Sequence, residues 1–228
     1  MRALSALAVV ALVALDASAA AAQSTRHFTD SWFWGAKVGG LVYQVQSSQS
    51  ASNPSGRSYS LLAGGDWLIT RKKGGLYLSF DHSFFSNDSV FVNDSVTPLD
   101  TVPRTVYLSG MRRFTLAGML FPLESDRLHP YIGFGATLSS IANAEPQGPY
   151  DSRTQENLVL NTVTQFKTVA SPIFIAGAQL RLIAFSVFGQ VTATPTNNNF
   201  FLWTQNGWRA SAEAGIRYNI GSSIDRMR

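Results

Sequence analysis

Asp81-His82-Ser83 sets a carboxylate, an imidazole and a hydroxyl in three consecutive positions. These are the groups of a nucleophilic hydrolase, in which the carboxylate orients the histidine and the histidine takes the serine's proton. Such a set works only if its members converge. The surrounding residues alternate instead. Leu76, Leu78, Phe80, His82 and Phe84 share one parity, while Tyr77, Ser79, Asp81 and Ser83 share the other. A period of two is a strand, whose neighbouring side chains face opposite ways. His82 is thereby turned away from Asp81 and Ser83, and no catalytic set is expected. The three histidines, His27, His82 and His129, are far apart in sequence and suggest no metal centre. The echo Asn87-Asp88-Ser89 and Asn93-Asp94-Ser95 could hold a cation weakly through its carboxylates, but ordinary turn chemistry accounts for it. There is no cysteine, so disulfide and thiolate chemistry are excluded. No cofactor is expected.

The remaining candidates are charged: Lys37, Asp66, Asp81, Arg209, Glu213 and Arg217. Each lies on the polar parity of an alternating segment. The clearest segment is the last. Trp208, Ala210, Ala212, Ala214, Ile216, Tyr218 and Ile220 make one face; Arg209, Ser211, Glu213, Gly215, Arg217 and Asn219 make the other. A strand reads this way when lipid lies on one side and a polar barrel interior on the other. Charges of both signs inside such a barrel must pair, because an unpaired buried charge is costly. The six could form a salt-bridged plug or line a narrow gated path. Their partners depend on strand register, which spacing does not give.

Eight segments carry the alternation: 33–46, 58–71, a third directly after Lys72-Lys73-Gly74, 105–121, 129–141, 164–181, 184–194 and 208–220. Gly39-Gly40 and Pro172 are expected bulge positions. The connections alternate between long and short, with 143–161 the longest loop. That is the asymmetry of an up-and-down membrane barrel with long external loops and short periplasmic turns. Each segment reaches the roughly 9–11 tilted residues that span a bilayer. Aromatics on the apolar face fall near strand ends. Trp34, Trp67, Phe185 and Tyr218 lie at the short-turn side, and Tyr59, Phe84 and Trp208 at the long-loop side. They read as two interfacial girdles. Phe200-Phe201-Leu202-Trp203 is an apolar run within a loop. It either folds over the barrel mouth or contacts a partner, a lipopolysaccharide or a host surface.

Charged residues are only 14 % of the chain and aromatics reach 12 %, which excludes a disordered chain. The net charge of +4 is scattered, so no nucleic acid partner is expected. Arg2 followed by the apolar run from Ala3 to Leu15 reads as a secretory signal, with cleavage after Ala22. The expected organisation is a signal peptide over 1–22, a barrel over 23–220 and a short tail over 221–228.

Val106 to Phe121, His129-Pro130-Tyr131-Ile132-Gly133-Phe134-Gly135 and Ala214-Gly215-Ile216-Arg217-Tyr218-Asn219-Ile220 resemble the small eight-stranded outer-membrane barrels of the OmpA and opacity-protein type. Where that family ends on phenylalanine, this strand has Ile220. The resemblance implies an all-β, eight-stranded antiparallel up-and-down barrel in the bacterial outer membrane, inserted by the barrel-insertion machinery. It implies contact with outer-membrane lipid and lipopolysaccharide. The expected role is structural, or surface binding of an unknown ligand through the external loops, by a monomer that is not an enzyme. Narrow-lumen transport of small solutes or apolar molecules is the alternative, and a lipid-modifying activity the third.

Overall fold

Strands with two unlike faces bury one of them and keep no unpaired edge when their sheet closes on itself. The computed structural model describes residues 28–45, 57–85, 88–92, 104–123, 127–150, 152–182, 184–195, 200–203 and 207–222. The expected signal peptide and most of the tail lie outside them. The elements are β1 (Ser31–Val45), β2 (Ser58–Arg71), β3 (Gly74–Phe84), β4 (Asp88–Val92), β5 (Arg104–Leu120), β6 (Leu128–Pro146), α1 (Arg153–Phe166), β7 (Thr168–Leu182), β8 (Phe185–Pro195), β9 (Leu202–Trp203) and β10 (Trp208–Ser222). The order around the wall is β1-β2-β3-β5-β6-β7-β8-β10. The β10–β1 pair closes the barrel, and all its pairs are antiparallel. The short β4 and β9 add to β5 and β1 at the long-loop end.

The outer wall is apolar. Trp34, Trp67, Phe80, Phe114, Leu116, Ile132, Phe134, Val187 and Ile216 are all exposed, while residues of the other parity such as Asp66, Asp81, Thr115, Tyr131, Ser186 and Arg217 are buried. A continuous exposed apolar belt around a closed barrel is the surface of a membrane-spanning protein.

Local irregularities lie elsewhere than expected. The register of β1 runs unbroken past Gly39 and Gly40, and shifts instead between Trp32 and Phe33. Pro172 causes no shift against β6, where it pairs with Ala136. Towards β8 the pairing stops at Phe174 and Ala193, so the missing proline N–H falls at the end of that ladder. The main irregularity is at Gly110, with φ +65, across which the β5–β6 register keeps step, Ser109 against Asn143 and Met111 against Ile141. Val106 and Leu108 point inward before it, and Met111 and Arg113 after it, so the strand changes parity there.

The expected loop over 143–161 is largely regular. β6 continues to Pro146, and α1 occupies much of the rest, so β7 begins at Thr168 rather than Thr164. Ser152 caps α1 by accepting from the Gln155 amide at 3.2 Å, and Val159 and Val163 bury one stripe of the helix. These two pack with Leu41, Tyr43, Leu62, Val106, Leu108, Met111, Ile141, Phe200, Phe201 and Leu202 into one apolar cluster at the long-loop end.

Replacing Ser152 with alanine removes the cap, at a cost of about 1 kcal/mol. Amide hydrogen exchange across 153–166 should speed up about fivefold, while exchange in the barrel strands stays unchanged.

Candidate functional site

The lumen is a stack of layers. At mid-height, Lys37 (β1), Asp81 (β3), Arg113 (β5) and Glu213 (β10) form a ring of alternating charge. The Lys37 Nζ lies 2.9 Å from Asp81 Oδ2 and 2.8 Å from Glu213 Oε2. Arg113 Nε lies 3.0 Å from Asp81 Oδ1, and its Nη2 pairs with Glu213 Oε1. Asp81 and Arg113 are direct cross-strand partners. Arg113 and Glu213 stand on opposite walls, half the strand circuit apart. Ser211 donates to Glu213 Oε1 at 2.7 Å and Gln190 Nε2 to Glu213 Oε2 at 2.9 Å, which fills the carboxylate's remaining acceptor sites. All four ring members are buried. Buried charges persist when each is both paired and hydrogen-bonded, as these are.

A second layer lies towards the short turns. Arg217 grips Asp66 through Nε at 3.2 Å to Oδ1 and Nη2 at 2.7 Å to Oδ2, a bidentate geometry, and donates through Nη1 to Gln179 Oε1 at 2.7 Å. Its guanidinium stacks over Phe188, 3.7 Å from the ring centre. Gly35 makes room for this pair. A Cβ there would stand 2.5 Å from Asp66 Oδ1 and 2.7 Å from Arg217 Cγ. Tyr131 donates to Gln190 Oε1 at 2.9 Å and Gln190 Nε2 donates to the Tyr77 hydroxyl at 3.0 Å, tying the two layers together. Below them Phe28 stacks on His129 at 3.7 Å and meets Phe121 edge-on at 4.9 Å, closing the short-turn end with apolar rings.

Arg209 is buried nearer the long-loop end, outside both ionic sets. Its Nη2 donates to Ser139 Oγ at 3.4 Å, its Nη1 lies 3.6 Å from Met111 Sδ, and its guanidinium sits 4.8 Å from the centre of the Phe200 ring. No carboxylate pairs with it among the described residues.

Five of the six charged residues read from the sequence are thus brought into two ion-paired sets, and Arg209 stands apart. Arg113 completes the ring and was not among the six. Its signal is present: Thr115 shares its parity, while Phe114 and Leu116 take the other. The Arg112-Arg113 doublet and the parity change at Gly110 obscure it. Trp34 is the cross-strand partner of both Trp67 and Tyr218, and Tyr218 of Phe185, so these four form one continuous arc on the outer wall. Tyr59, Phe84 and Trp208 are exposed towards the other end. Phe200, Phe201 and Leu202 are buried. They do not present the contact surface considered for them, because the cap over the lumen mouth takes them up. The backbone of Trp203 pairs with Gln44. His82 lies on the outer wall, with Asp81 and Ser83 inside.

No family model matches the chain, and neither does any curated protein. Solved structures do match. Neisserial surface protein A has a TM-score of 0.50 at 8 % identity, over 83 % of this chain and 97 % of that one. The chain has the fold of a small outer-membrane barrel. Two further barrels match at lower scores. They are OprG of Pseudomonas aeruginosa (0.48, 9 % identity, 86 % and 98 % covered) and Ail of Yersinia pestis in complex with a heparin analogue (0.45, 9 %, 83 % and 99 %). At these identities the likeness concerns the fold alone.

Replacing Arg113 with methionine leaves Asp81 and Glu213 with Lys37 alone, and should cost the barrel about 3–5 kcal/mol. Replacing Arg209 with methionine strands no carboxylate, and should cost less than about 1 kcal/mol or stabilise. Urea midpoints of the folded barrel in lipid vesicles measure both.

Proposed function

We propose that this protein is a plugged outer-membrane barrel, exported through its signal over 1–22, inserted by the barrel-insertion machinery and working as a monomer. It serves the envelope structurally, or binds a surface ligand through its long-loop end. The observation that carries this reading is the filling of the lumen. An eight-stranded barrel is just wide enough to be packed by its own side chains, and here the packing is continuous. The apolar cap of α1 and Phe200–Leu202 sits over the Lys37–Asp81–Arg113–Glu213 ring. Beneath the ring come the Arg217–Asp66 pair and then the rings of Phe28, Phe121 and His129. A solute crossing the barrel would have to displace every layer, including two sets of desolvated ion pairs. Transport is therefore the weaker reading. A non-catalytic role is supported by the opposed directions of His82 and of Asp81 and Ser83.

The long-loop end has the material for an interaction surface. There β4 and the end of β6 both pair with the start of β5, α1 follows β6, and Leu160 on α1 is exposed.

Purified protein in a planar bilayer should give no steady single-channel openings at voltages where open porins conduct. Steady, reproducible openings of the unmodified protein would overturn the plugged reading.

A further inference from the structure

On the outer wall, towards the long-loop end, a recess of about 510 Å³ lies at Gly110 between β3, β5 and β6. Pairing of β3 with β5 ends at Ser83 and Met111, and β4 takes over only at Asp88 and Leu108. Across the gap the Gly110 amide donates to the Phe85 carbonyl at 2.9 Å. Only glycine suits the floor of this recess. Its φ is +65, and a Cβ would stand 2.9 Å from His82 Cε1 and 3.0 Å from Nε2. The change of parity brings Ser109 and Arg112 to the same outer side, where Asn143 Nδ2 donates to Ser109 Oγ at 3.4 Å. His82, Phe84, Ser109, Gly110, Arg112 and Asn143 line the space.

Arg112 is the feature to be explained. It is an exposed cation on a face that is otherwise lipid-directed, and no carboxylate pairs with it among the described residues. One step towards the membrane centre on each strand, the wall is Phe80, Phe114 and Leu138, all exposed. At the Arg112 row it becomes His82, Arg112, Ser140 and Thr168, the last two joined by a hydroxyl hydrogen bond of 3.0 Å. The wall thus passes from apolar to hydrogen-bonding within one repeat, as it does at the boundary between acyl chains and headgroups.

We propose that this recess binds the phosphate headgroup of a bilayer lipid, whose acyl chains lie along Phe80, Phe114 and Leu138. A guanidinium meets two phosphate oxygens bidentately. The His82 imidazole, the Ser109 hydroxyl and the Asn143 amide supply further hydrogen bonds around them. The volume exceeds that of a bare phosphate ion and lies in the range of small-molecule sites, enough for a sugar or glycerol attached to the phosphate. Phe84 covers the flank with an apolar ring. The proposal rests on the membrane-spanning reading above.

The test titrates dihexanoyl phosphatidic acid into the full barrel in uncharged maltoside micelles, following amide resonances by NMR. Gly110, Arg112 and His82 should shift saturably, and Arg112→Ala should weaken binding at least tenfold. Arg112 lies outside the lumen ring, so the variant should keep the heat-modifiable gel migration of a folded barrel. Three outcomes would overturn the site: no saturable shift in a folded barrel, an unchanged affinity in Arg112→Ala, or equal affinity for dihexanoylglycerol, which lacks the phosphate. Inorganic phosphate binding as tightly as the lipid would overturn the lipid source. Extraction of the protein from membranes without detergent would instead overturn the membrane reading beneath it.

Discussion

The ring of Lys37, Asp81, Arg113 and Glu213 is the constraint on which the rest of the barrel turns. In a dry interior each of these charges is costly alone, and the four together leave none uncompensated. The ring also fixes geometry. Asp81 and Arg113 are neighbours across one ladder, but Arg113 and Glu213 come from opposite walls. The contact between them sets a diameter, and a slip of one residue in any of the four strands would turn a charge into lipid. Register, closure and electrostatics are thus one condition.

Everything above and below the ring excludes water from it. The Phe28, Phe121 and His129 rings do so at the short turns, and α1 with Phe200, Phe201 and Leu202 at the long loops. Arg209 lies between the ring and the upper cap. It is the one buried cation of the described residues that both ionic sets leave over: Lys37, Arg113, Arg209 and Arg217 face Asp66, Asp81 and Glu213.

The wall was readable from the amino acids because alternation has one cause: each strand separates the same two environments. Trp208 to Ile220 and the hairpin around Lys72-Lys73 show it without interruption. What could not be read depends on contacts between distant segments. Arg113 and Glu213 meet only through the register of five strands. Phe200 to Leu202 look like a surface anomaly until α1 is placed beside them, and α1 was hidden by the turn residues around it. Its local signs, Ser152 with Gln155 and the spacing of Val159 and Val163, were present but short. Gly110 shows the remaining difficulty. One left-handed residue reverses inside and outside for the segment that precedes it, and parity counted from either end alone gives the wrong face for the other.

β10 alone contributes Arg209, Glu213 and Arg217, which makes it the most charged of the lumen walls. The counter-charges of Glu213 and Arg217 sit on β1, β2 and β5, in the first half of the chain. A last strand of this kind has no stable resting place in lipid by itself. While it waits for the first strands, its polar face must be held in water or against another protein. The barrier to entering the bilayer is therefore raised for every partly built intermediate and falls only on closure.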